Sequence, residues 1–251
     1  MKRDSKRSIQ ARHISAWAGI GVVGWTGAAM AGRPLITNDA NTLEPRQVQI
    51  EAGVTSIEEA GQYHWGLPLV VTYGLLPRVE VAIGSGMWFD ELATAGLQVD
   101  DLVLGLKWRL LEQEKALVAQ AISVAVAIPT AAEESGQVDC DVTWILTHQF
   151  GERTSLLFNV GNIWLAHHDN GTHSNLLHYG PALTYQLTAK LQPVAEVVFE
   201  TPVEGGQTSA GFNGGIRYQF LESLILDAAM GAKVAGDWPT WTATIGLTWV
   251  F

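Results

Sequence analysis

The residues of this chain that could do chemistry are charged side chains recurring at one parity of alternating segments: Glu51, Glu80, Asp101, Lys107, Arg109, Glu196, Arg217, Asp227 and Lys233. They share that parity with small or hydroxylated residues, Ala119, Ala121, Ser123, Ala125 and Ala127 in one segment and Thr242, Thr244, Gly246 and Thr248 in another. Charges on a face of little bulk either contact a passing solute or pair with one another across the space they enclose. The first reading makes these residues the lining of a solute path. Covalent chemistry finds less support. No Ser stands at a readable spacing from His148, the Gly-x-Ser-x-Gly turn is absent, and Cys140 has no accompanying motif, so a lipid-modifying enzyme ranks last and the expected class is non-enzymatic.

Two further groups fall where the alternation lapses. Glu58, Glu59, Asp90, Glu91, Glu133, Glu134, Asp169, Glu204 and Asp237 occupy polar connections without Lys or Arg between their boundaries. Such a mouth concentrates cations and disfavours anions; the competing reading is that acids simply keep loops solvated. His167, His168 and His173 could ligate a transition metal, but their spacing fits no fixed zinc pattern, and neither metal nor cofactor is expected.

Strands must position these residues. From Gln47 onward the dominant signal has period two, as in Val48-Ile50-Ala52-Val54, Trp65-Leu67-Leu69-Val71-Tyr73 and Leu102-Leu104-Leu106-Trp108-Leu110. Twelve such segments follow one another, each about as long as a tilted strand that crosses a bilayer. Five tight connections, near residues 74–78, 111–115, 151–153, 188–190 and 221–223, alternate with six longer ones, near 57–63, 89–99, 129–138, 165–175, 200–208 and 234–240. This pattern predicts an all-β, 12-stranded antiparallel up-and-down transmembrane β-barrel with both termini in the periplasm.

A soluble barrel of lipocalin type alternates in the same way but points its apolar face inward. Aromatic placement separates the two. Tyr73, Trp108, Phe150, Tyr185, Tyr218, Phe220, Trp249 and Phe251 fall at the tight-turn ends of the apolar face, and Trp65, Trp164, Phe199, Phe212 and Trp241 at the long-loop ends. Two girdles flanking an aliphatic band are the anchors of a membrane barrel. The terminal strand ending at Phe251 resembles the signal by which outer-membrane assembly machinery recognises its substrates. Pro68, Pro181 and Pro193 sit on the apolar face, where bulges or strand ends are expected, because a closed barrel leaves no free edge.

The chain has 251 residues, 47% hydrophobic and 16% charged, with a net charge of −10, which excludes a nucleic-acid-binding surface. Lys2, Arg3, Lys6, Arg7 and Arg12 precede an apolar stretch from Ile14 that ends in Ala29-Met30-Ala31, the pattern of a cleavable signal peptide over residues 1–31. Five of 15 Lys and Arg and one of 25 Asp and Glu would leave with it, taking the net charge to −14. Residues 32–46 then form a periplasmic N-terminal segment and 47–251 the barrel. One Cys permits no internal disulfide.

Arg33-Pro34-Leu35-Ile36-Thr37-Asn38-Asp39-Ala40-Asn41-Thr42-Leu43-Glu44-Pro45 resembles the opening of the outer-membrane barrel family labelled for the MetA pathway of phenol degradation. The segments Leu67 to Leu75 and Asp101 to Leu111 are similar to that family as well. Asn38 stands where the family has Asp, and Arg46 where Gly is commoner. The resemblance implies a transporter-like protein of the bacterial outer membrane for aromatic or other hydrophobic small molecules, with no residue-level site to carry over. The expected partners are a small-molecule solute, outer-membrane lipid and the assembly machinery. The alternative is a closed structural or adhesive barrel whose interior is filled by its own charge network.

Overall fold

The computed structural model describes residues 32–59, 61–90, 97–130, 138–165 and 175–251. The alternating runs form fifteen strand segments. They are β1 (Val48–Glu59), β2 (Gln62–Gly66), β3 (Leu69–Leu76), β4 (Val79–Ser85), β5 (Met87–Asp90), β6 (Gln98–Val99), β7 (Leu102–Leu111) and β8 (Ala119–Ile128). The remainder are β9 (Asp139–Phe150), β10 (Thr154–Trp164), β11 (Asn175–Tyr185), β12 (Leu191–Pro202), β13 (Ser209–Leu221), β14 (Leu224–Ala235) and β15 (Trp241–Val250). β2 with β3, β4 with β5, and β6 with β7 are single staves interrupted at Leu67-Pro68, Gly86 and Asp100-Asp101, so the barrel has twelve staves. All ladders are antiparallel, and β15 returns to pair with β1 from Gln49↔Val250 to Glu58↔Trp241. At this seam Val48 N–H donates to the Phe251 carbonyl (2.8 Å) and Phe251 N–H to that of Val48 (2.9 Å).

The apolar parity faces outward. Leu69, Ile83, Leu104, Leu183, Ile216, Met230 and Ile245 are all exposed, while inward residues such as Thr72, Glu80, Lys107, Asn159 and Asp227 are buried. An apolar outer belt over a polar interior is the membrane arrangement and excludes the lipocalin one. The girdle aromatics lie on that outer face, several in ring pairs: Trp249 with Phe251 near the periplasmic edge, and Tyr179 with Phe199 and Trp65 with Phe89 near the extracellular one.

Three local expectations change. β1 continues to Glu59 instead of ending near residue 57 and pairs there with Gln62, next to Gly61 at φ 82°, so the expected long connection is short. The β7–β8 turn on the opposite rim runs over 112–118, so long and short connections do not alternate strictly. Pro68 does occupy a strand break and Pro193 lies just beyond the last β11–β12 pair, but Pro181 is mid-strand. There the β11–β12 ladder skips from Tyr179↔Phe199 to Ala182↔Glu196 without losing register, and the missing N–H is absorbed without a bulge.

Residues 32–46 run inside the barrel. They were expected as a periplasmic lead-in, yet Leu35, Thr37, Asn38, Asp39, Ala40, Thr42 and Leu43 are all buried. The physical reason is the small-residue lining noted above. Ala119, Ala121 and Ile145 pack on Ala40, and Leu157, Ala182 and Val194 pack on Leu35, so the segment fills volume that the wall leaves open.

Candidate functional site

The N-terminal segment crosses from the periplasmic rim, where Arg46 N–H donates to the Gly74 carbonyl (2.7 Å). Arg46 has φ 75°, a left-handed conformation that costs a side-chain-bearing residue and suits glycine better. Gly74 is needed too, since a Cβ would collide with the Glu44 carbonyl. From this point the segment circles the inner wall. Leu43 N–H donates to Glu80 Oε2 on β4 (2.7 Å), and Ala40 N–H to Thr147 Oγ1 on β9 (2.9 Å). Asn38 N–H and carbonyl bond the Asn159 amide on β10 at 2.8 and 2.9 Å.

The second half is held by charge. Both Ile36 and Thr37 N–H groups donate to Glu196 on β12 at 2.8 Å, and Asn213 Nδ2 bridges Glu196 and the Pro34 carbonyl at 3.0 Å each. Arg217 donates through Nε to the Arg33 carbonyl (2.6 Å) and through Nη2 to that of Gly32 (3.3 Å). The Arg33 guanidinium, 11% exposed, pairs with Asp227 at 3.3 Å and donates to Thr244 Oγ1 at 2.8 Å. It lies over Gly53 and Gly246, where any Cβ would run into it. Bonds from backbone N–H to ionised carboxylates are among the stronger ones available, and here they serve groups with no strand partner.

The nine charged residues read from the sequence therefore separate. Glu51, Glu196, Arg217 and Asp227 touch the N-terminal segment, and Glu80 does so while facing Lys107, with Nζ 3.8 Å from Oε1. Asp101 accepts Thr130 N–H (2.8 Å) and ties off the extracellular ends of β7 and β8. Lys233 is exposed near the same rim. Arg109 lies at the periplasmic end, 3.6 Å from Glu112, which also meets Arg78 at 3.2 Å and Lys115 at 3.4 Å. Partial desolvation raises the Glu112 carboxyl, but Arg78, Lys115 and Arg109 outweigh it and hold it below its ordinary 4.5.

Two cavities flank the inner segment. A periplasmic one of about 600 Å³ is lined by Asp39, Asn41, Arg109, Glu114, Gln192 and Arg217, among others. On the extracellular side a narrow slot of about 50 Å³ lies between Ile36, Ile57, Val198, Trp238 and Pro239. Trp238 descends from the β14–β15 loop, is 4% exposed and packs on Val198, with Gly211 leaving room for its indole. On the neighbouring staves β9 to β11, His178 Nε2 lies 3.0 Å from Asp141 Oδ1 and 3.2 Å from Thr143 Oγ1, where Gly161 leaves the space open.

Sequence reasoning missed the inner segment, Trp238 and the Asp141–His178 pair. The signal for the first was the run of alanines on β8, a wall with nothing yet assigned to fill it. His148 is on the outer face; its Nδ1–H donates to the Leu117 carbonyl (2.7 Å) and its ring meets Phe150 edge-on. The leader, Glu91, Glu133, Glu134, Asp169, His167, His168 and His173 lie outside the described residues.

Residues 31–250 match the family described as putative MetA-pathway of phenol degradation. The chain belongs to that family. Sequence comparison with curated proteins returns no match. Among solved structures the family member resembles the NanC porin, with TM-score 0.61 at 10% identity over 80% of this chain and 98% of the porin. It also resembles the CymD monoaromatic hydrocarbon channel, with TM-score 0.54 at 11% identity over 92% and 98%. The KdgM porin, solved with disordered oligogalacturonate, gives TM-score 0.58 at 5% identity over 82% and 99%. At these identities the likeness is one of fold. Together with the apolar belt it identifies a 12-stranded outer-membrane β-barrel.

Proposed function

We propose that this barrel is a passive channel for small molecules with substantial apolar surface, aromatic compounds among them. The observation that carries it is the pair of cavities on opposite sides of the inner segment, a largely apolar slot edged by Arg33, Asn213, Thr242 and Thr244, and a polar vestibule at the periplasmic end. The slot is smaller than the roughly 150 Å³ cavity known to accept benzene, so a ring passes only when Trp238 or Ile36 moves. An apolar solute loses little on leaving water for such a slot, whereas a sugar would find partners there for only some of its hydroxyls. Of the nine charged residues expected along the path, Arg109 and Arg217 face the vestibule, whereas Glu51, Glu80, Glu196 and Asp227 hold the inner segment that a solute must pass. Glu58, Glu59, Glu204 and Asp237 at the described rim support a mouth that favours cations over anions.

The test is uptake of a monoaromatic solute and of a monosaccharide into proteoliposomes. The aromatic is expected to enter faster than through protein-free membranes, and Val198→Trp, which fills the slot, is expected to abolish the difference. Equal fluxes with and without protein would sink the channel. They would favour the closed barrel, a reading supported by the number of charged residues that clamp the inner segment. Anion selectivity in a reversal-potential measurement under a salt gradient would separately refute the acidic mouth.

A further inference from the structure

Glu51 projects from β1 into the barrel and is 3% exposed. Its Oε1 receives Arg33 N–H at 3.3 Å and lies 3.5 Å from Thr248 Oγ1. Its Oε2 is buried with no hydrogen-bond partner among the described residues. A buried carboxylate oxygen without a donor is costly, and such an atom calls for a specific partner. The nearest chain is the start of the inner segment. The Gly32–Arg33 peptide is fixed from both sides, its carbonyl accepting from Leu35 N–H (2.8 Å) and Arg217 Nη2 (3.3 Å) and its N–H facing Glu51. The Gly32 nitrogen is one residue back, about 3 Å from the Arg33 nitrogen by backbone geometry.

Gly32 is also the residue that follows the Ala29-Met30-Ala31 cleavage pattern. It is buried inside the barrel, so an uncut chain would have to continue from within the lumen. We propose that cleavage after Ala31 makes Gly32 the mature N-terminus and that its new α-ammonium pairs with Glu51 inside the barrel, locking the inner segment in place. In the cleavage a leader peptidase specific for small residues adds water across the Ala31–Gly32 bond, leaving a carboxylate on Ala31 and an amine on Gly32 that takes up a proton. The ammonium brings three donors to an oxygen that has none. Processing and closure of the lumen are thereby linked, because only the cut chain carries the charge that Glu51 receives. The proposal rests on the leader reading, and the experiment separates the two.

The full chain is expressed and the barrel purified from outer membranes, with folding checked by the gel mobility of unheated against heated samples. Intact mass and N-terminal sequencing are expected to show a chain starting at Gly32; any other start overturns the proposal through the leader. Labelling with an α-amine-selective aldehyde is then compared in folded and denatured protein. Folded wild type should react at least about tenfold more slowly than denatured protein, as for a group exposed only by local opening. E51Q should lose that protection and E51D recover part of it. A variant with one Ser inserted between Ala31 and Gly32 displaces the charge while keeping Glu51, and its mature chain should label like E51Q; this arm decides the matter if E51Q fails to assemble. A chain that begins at Gly32 but labels equally fast folded and denatured, or a Ser-extended chain as protected as wild type, overturns the pairing.

Discussion

Lys107 and Glu80 are each about 1% exposed and face each other across the β4–β7 ladder. Two charges taken out of water together are tolerable because each answers the other, and Glu80 also receives Leu43 N–H. Removing one alone leaves the other uncompensated. Lys107→Met is therefore expected to cost about 3–5 kcal/mol in urea unfolding from lipid vesicles, and Lys107→Met combined with Glu80→Gln distinctly less. A single-variant cost within the roughly 1 kcal/mol typical of exposed pairs would show that the charges do not meet in the folded barrel. Glu112 is the opposite case, a solvent-exposed carboxylate amid three cations. Its folded value lies below its free value, so its contribution is complete above about 4.5 and disappears as pH falls through the folded value. Amide exchange at Lys115 and Ala116, whose N–H groups bond the Glu112 carbonyl, is expected to lose protection below that pH in wild type. In Glu112→Gln it should be flat with pH, and matching profiles would refute the assignment.

At the scale of elements, the inner segment behaves as an irregular strand whose ladder partners have been replaced by side chains from the wall. Its attachments are unequal. Glu196 alone takes two of its backbone N–H groups, and each bond to a charged group is worth about 1.5–3 kcal/mol. Glu196→Ala is expected to weaken anchoring by about 3 kcal/mol and to raise single-channel conductance in planar bilayers while heat-modifiable folding persists. Unchanged conductance would mean that the segment is not the constriction. The sequence announced the strands because lipid imposes one chemical requirement on every second residue, and Trp108, Leu183 and Ile245 meet it wherever they occur. No such requirement marks residues 33–45. Their Leu35, Ala40 and Leu43 answer to particular neighbours on β10, β8 and β4, a correspondence visible only once the wall is closed.

For the molecule as a whole the same contrast holds between outside and inside. Orientation, strand count and girdles followed from period two and from aromatic position, since each is set by the membrane. The use of the interior charges did not follow, because parity places Glu196 and Asp227 inward without saying whether water, solute or protein meets them. The β1–β2 hairpin was also obscured, because Glu58 and Glu59 look like loop residues although they still pair with Tyr63 and Gln62. The slot under Trp238 escaped for a related reason, since a tryptophan in an acidic loop carries no period to reveal that it turns inward.

The seam at which Val48 and Phe251 exchange backbone bonds joins the first stave of the barrel to the last. Bringing such distant residues together costs more chain entropy than closing any hairpin elsewhere in the sheet. Without it, β1 is held on one side only, by its pairing with β2 and β3. The same seam lies beside the charged anchor of the inner segment, where Arg33 meets Asp227 on β14 and Thr244 on β15, so closure of the wall and seating of the segment share one neighbourhood.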